Sequence, residues 1–258
     1  MLLPKAIALC SAVCAAAICA QPDVRDIVKR SVEANQRDFK AADSYNYKER
    51  DRTPSGSKTY QLTMIEGTPY QRLIGLGGKP LSPAREAAEQ KKEQQAIQNR
   101  KRESSGDRQE RIQKYERERS RDNAMMQQLT EAFTFALAGE RKVRGFSVYV
   151  LKAMPKPGYK PPNMACQVLP GMQGELWIDQ ETYQWVKVTA QVIRPVSIEG
   201  FLARVEPGTR FELEKSPVGD GSIWLASHFA ERANAKILGV FSHNSSEDDT
   251  FWDYQPAK

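Results

Sequence analysis

Few side chains in this sequence are chemically capable, and their spacing argues against catalysis. The 258 residues hold two histidines, His228 and His243, and four cysteines, of which only Cys166 lies beyond residue 20. A His-rich zinc site recruits several imidazoles, so none is expected. GLGGKP at 75–80 fails the phosphate-loop pattern, because no glycine stands five residues before Gly78 and Pro80 takes the Ser/Thr position. Neither G-x-S-x-G nor H-E-x-x-H occurs. Cys166 could serve as a nucleophile beside a histidine, but next to a Pro-rich stretch it reads as incidental. Glu247, Asp248 and Asp249 could meet a hard cation, yet after Asn244-Ser245-Ser246 they read as a hydrated turn. That Asn-Ser-Ser triplet also matches a glycosylation sequon, relevant only to a eukaryotic secretory route. No catalytic residue, metal or cofactor is expected. The chain reads as a non-enzyme.

A second class of chemistry needs only apolar surface. Tyr60, Leu62 and Met64 alternate with Gln61 and Thr63, and Val186, Val188 and Val192 alternate with Lys187, Thr189 and Gln191. With Phe211 and Leu213, these residues could line an apolar cavity on one face of a sheet. Equally, they could pack against helices and leave no space. An acyl chain buried there would gain roughly 0.8 kcal/mol per methylene, with no catalytic group involved.

The elements that must position them follow from periodicity. Val24, Ile27, Val28, Val32 and Phe39 draw one helical stripe over 22–42. Strands are expected at 44–53, 58–66 and 70–76, with PSGS at 54–57 as a hairpin turn. Asn123–Ala138 reads as a second amphipathic helix, with Met126, Leu129, Phe133, Phe135 and Leu137 as packing residues. Strands then recur at 146–153, 174–179, 185–193, 201–205, 209–216, 222–232, 235–242 and 250–254. Trp177 and Trp224 read as sheet anchors and Asp179 as a turn former. The pattern is α+β: an antiparallel sheet curved into an incomplete, half-open barrel and covered by helices.

Residues 79–124 interrupt it as a charged helical arm. Between Arg85 and Asp122 stand 12 basic and 9 acidic residues, with large apolar side chains only at Ile97, Ile112 and Tyr115. Ser104-Ser105-Gly106 should break the arm into two helices. It reads as solvated, or as a contact for anionic lipid or a protein partner. The overall charge of +6 is too mixed in sign to imply nucleic acid.

Residues 1–20, MLLPKAIALCSAVCAAAICA, place Lys5 before an apolar run of about 15 residues, shorter than the roughly 20 a bilayer span needs. This is the pattern of a secretory leader cleaved after Ala20, with Ala17 as a second candidate. Ile18 before Cys19 and Val13 before Cys14 are bulky for a lipidation site. Residues 21–258 then form a single domain in which Cys166 has no disulfide partner.

The sequences GELWID at 174–179, YQWVKV at 183–188 and SIWLASHFAER at 222–232 follow one another in an order similar to the outer-membrane lipoprotein-sorting (LolA/LolB-like) superfamily. PYQRLIGLGGKPLSP at 69–83, with the charged arm, resembles a less characterised bacterial branch of it. Ala226 stands where the family strand carries proline, and the arm is longer than in the standard carrier. The resemblance implies a periplasmic half-barrel whose cavity holds acyl chains of lipids or lipoproteins. Its alternative implication is an envelope or stress-sensor module that contacts a protein partner, here through the arm, or a membrane surface.

Overall fold

The computed structural model describes residues 22–198, 203–237 and 241–257, so the leader read at 1–20 lies outside the described residues. The chain opens with α1 (Val24–Ala41), whose first turn is capped by Asp23 accepting from the Arg25 amide at 2.9 Å. Its buried stripe includes Ile27, Val28 and Ala34. The strands β1 (Tyr45–Thr53), β2 (Gly56–Ile65), β3 (Thr68–Leu76) and the short β4 (Lys79–Pro80) then form a meander. The arm is α2 (Pro83–Arg102) and α3 (Ser105–Gln127), broken where the sequence places the break, with Ser104 capping α3.

The expected helix over 123–138 does not run its length. After a single turn, α4 (Leu129–Ala132), the chain enters β5 (Phe133–Val143) and pairs with β6 (Phe146–Pro155). Phe133, Phe135 and Leu137 fit a period of two as well as a helical stripe, and the adjacent β6 supplies a ladder that settles the competition. A 3-10 helix at Met164–Gly171 leads to β7 (Met172–Asp179) and β8 (Trp185–Val192). Gly174 is required at their contact, because a Cβ there would run into the Thr189 carbonyl oxygen.

Short strands β9 (Val196–Ile198) and β10 (Ala203–Val205) precede β11 (Arg210–Val218), β12 (Ile223–Ile237) and β13 (Phe241–Pro256). β12 and β13 are longer than their sequence suggests. Breaks were expected near residues 233–234 and across 243–249, but Asn234, Asn244, Ser245 and Ser246 all lie in the ladder. Pairing on the flanks outweighs the weak strand preference of Asn and Ser. Glu247-Asp248-Asp249 is therefore strand, not turn.

The described residues form one 13-stranded antiparallel sheet in the order β4-β3-β2-β1-β13-β12-β11-β8-β7-β6-β5, with β10 also paired to β12 and β9 paired to β10. Strand β1 pairs with β13, so the two ends of the chain meet mid-sheet, and β4 and β5 never meet to close a barrel. This is the α+β, incompletely closed architecture expected. The main core joins Ile27 and Val28 of α1 to Leu151, Leu176, Ile178 and Trp185 of the sheet. A smaller cluster of Val148, Val150, Val186 and Trp224 lies apart from it. No helix among the described residues is long and apolar enough to cross a membrane.

Candidate functional site

Directly paired residues of neighbouring strands point to the same side of a sheet, so register assigns every side chain to a face. One row runs Val188, Leu213, Phe229, Asp249, Asp51 and Lys58 across six strands. Its side is the one that α1 covers, since Leu176 opposite Val188 belongs to the α1 core. Tyr60, Leu62 and Met64 of β2, and Val192 and Phe211, share that side by strand alternation.

Seven of the eight apolar residues singled out in the sequence are thus brought to one face, but not to one environment. Val192 is buried in the α1 core, and Val188 and Phe211 pack against its rim. Tyr60, Leu62, Met64 and Leu213 belong to neither core cluster. Val186 departs from the group. The register shift between Trp177 and Ile178 leaves it unpaired with β7, and it packs with Trp224 in the smaller cluster. A bulge of this kind carries no distinctive residue, so simple alternation misassigns Val186.

Sequence reading missed the acidic character of the same face. Glu49 and Asp51 of β1, Glu247 and Asp249 of β13 and Glu231 of β12 lie together. Burial, reinforced by Asp249, Asp51 and Glu247, pushes the Glu49 carboxyl up to about 7. Burial and the charges of Glu247, Asp51 and Asp248 raise Asp249 to about 6, and burial beside Glu247 raises Glu231. Asp248 faces the other way and meets His228 at 3.3 Å. The signal was present in the alternation of Glu247 and Asp249, but it needed the strand assignment to be read.

The opposite side of the sheet carries an open trough of about 880 Å³. Lys152, Glu175, Arg210, Glu212, His228 and Arg232 are among its lining residues, and of the eight apolar candidates only Phe211 reaches it. Of that charged lining, Glu212 bonds Lys187 beside the trough and His228 meets Asp248. Such a surface suits solvent rather than an acyl chain.

Trp224 is 2 % exposed, and Trp177 packs on the same cluster. Asp179 accepts from the Thr182 amide at 2.8 Å and its hydroxyl at 2.7 Å, forming the β7–β8 turn. The arm is fixed at its joints. Arg100 donates to the carbonyls of Ile65, Thr68 and Pro69 at 2.8–3.1 Å, and Arg111 donates to Thr68 Oγ1 at 2.6 Å. Tyr115 Oη donates to Asp43 at 2.7 Å, tying α3 to the end of α1. None of the residues of α2 is buried.

No protein-family model and no curated protein matches the chain. Similar solved structures include a LolA superfamily protein from Nitrosomonas europaea, at 9% identity and TM-score 0.35, covering 92% of this chain and 95% of that one. Another is a domain named as an outer membrane lipoprotein-sorting protein from Vibrio parahaemolyticus, at 13% identity and TM-score 0.32 over 89% and 93%. A third is a chain of the Pseudomonas aeruginosa MucA/MucB complex, at 10% identity and TM-score 0.24 over 88% and 99%.

Proposed function

We propose that this chain is a non-catalytic carrier or chaperone of the bacterial periplasm that receives a lipid or lipoprotein acyl chain on the α1 side of its sheet. One observation carries the reading: Tyr60, Met64 and Leu213 share that face, are only half-buried and lie outside both core clusters, whereas Leu62 beside them is buried. They offer apolar surface that the fold itself does not use up. Each methylene buried against it would contribute about 0.8 kcal/mol. Export by the 1–20 leader is consistent with such a role.

The test is direct. Mature protein should co-purify with lipid detectable by mass spectrometry, and it should take up a fluorescent fatty acid. Leu213→Glu should abolish uptake, whereas Gln191→Glu, on the opposite side, should retain it. Lipid-free protein without uptake would overturn the reading.

A second reading rests on the arm. α2 is pinned at Arg100 but buries none of its residues, so it presents a held, charged surface to an envelope protein. Cross-linking in cells that is lost on Lys91→Glu with Lys101→Glu would favour this reading. Binding instead to vesicles of anionic phospholipid would assign the arm to a membrane surface.

A further inference from the structure

The geometry points to a binding site for a hard divalent cation of the calcium type, built from Asp51, Glu247 and Asp249 where β1 meets β13. One carboxylate oxygen from each lies within 4.8 Å of the other two. Calcium holds its oxygens at about 2.3–2.6 Å, so ligands across one ion stand up to about 5 Å apart. All three ligands are oxygens, which suits calcium or magnesium rather than a softer metal. Calcium also tolerates irregular geometry completed by water, as a cluster on two strands would require.

A second, independent observation separates this cluster from an ordinary acidic patch. Asp249 is only 6% exposed, and its Oδ1 is buried without a hydrogen-bond partner. Asp51 Oδ1 is in the same state. A carboxylate oxygen taken out of water without a donor is expensive, and two such residues in one cluster compound the cost. The described residues supply no remedy. Neighbouring cations are engaged elsewhere, Lys48 with Asp253 and His228 with Asp248, and Lys58, opposite Asp51 in register, forms no ion pair with it. A bound cation supplies the missing partner, and exposed Glu247 gives it a route from solvent.

The site is independent of the acyl-chain reading, since it needs no lipid. Mature full-length protein stripped with a chelator is titrated with calcium, and separately with magnesium, by calorimetry. One saturable site per chain is expected, with a calcium Kd of about 0.1–1 mM, the range of extracellular modules. Asp249→Asn and Asp51→Asn should each weaken binding at least about tenfold, whereas Asp248→Asn, on the other face, should not. Both cluster substitutions remove like-charge repulsion, so the metal-free melting temperature should hold or rise, which excludes unfolding as the cause. Magnesium binding with the same variant dependence also supports the site. No saturable heat with either ion, or unchanged binding in an Asp51→Asn/Asp249→Asn double variant, overturns it.

Discussion

The ammonium of Lys215 donates to Oδ2 of Asp38 at 2.6 Å, sealed between α1 and the sheet. The other oxygen of Asp38 accepts from Gln184 Nε2 at 3.0 Å and the Trp224 amide at 3.1 Å, while Lys215 also donates to Asn35 at 2.7 Å. One carboxylate thereby joins α1 to β11 and β12 and to Gln184 just before β8. Burial pulls the Lys215 ammonium down in pKa, and Asp38 opposes that pull.

Asp38→Ala should therefore cost about 3–5 kcal/mol of unfolding free energy, because it strands a buried charge. Urea denaturation measures this. The Asp38→Leu/Lys215→Met double variant should recover most of the loss, since apolar replacements of a buried pair are often neutral. A double variant as unstable as Asp38→Ala would show that geometry, not charge, is what matters at this position.

Arg100 satisfies three carbonyls at the β2–β3 turn. Arg100→Ala should cost about 1.5–3 kcal/mol, and α2 should become the first segment cut in limited proteolysis. Arg100→Lys should not rescue it, because a single ammonium cannot reproduce the guanidinium fork. Full rescue by lysine would reduce the contact to simple charge.

Cys166 is fully buried, and burial pushes its thiol up, with hydrogen bonds involving Tyr159 and Asn163 only partly opposing the shift. At mildly alkaline pH a thiol reagent should modify native protein roughly 10²-fold more slowly than urea-unfolded protein. Comparable rates would mean that the 3-10 helix around it opens freely.

Tyr47 is raised to about 12 by burial and by Glu49 and Asp43. A folded pKa above the unfolded value of about 10 means that the unfolded chain releases its proton first. Its contribution to stability is whole below pH 10 and is lost as pH rises from there through 12. Denaturation at stepped alkaline pH should show this decline, and Tyr47→Phe should flatten part of it. An unchanged slope in that variant would place the effect on other groups.

Local pattern fixed much of the strand content: alternation over 60–64 and 188–192 needs only the chain's own geometry, and so did the break at Ser104-Ser105-Gly106. It misread Phe133–Leu137, where periods of two and 3.6 coincide, and Glu247–Asp249, where polar residues hide a strand. Which side Val186 faces was also beyond it, because a bulge depends on how two strands pair. The acidic site lay further out of reach. Asp51 and Asp249 come from opposite ends of the chain and meet only because β1 pairs with β13. Side-chain alternation is a property of each strand alone, whereas the choice of neighbouring strand is made by the burial of the whole sheet. The sequence by itself determined which residues could share a face, and the tertiary structure decided which of them stand side by side.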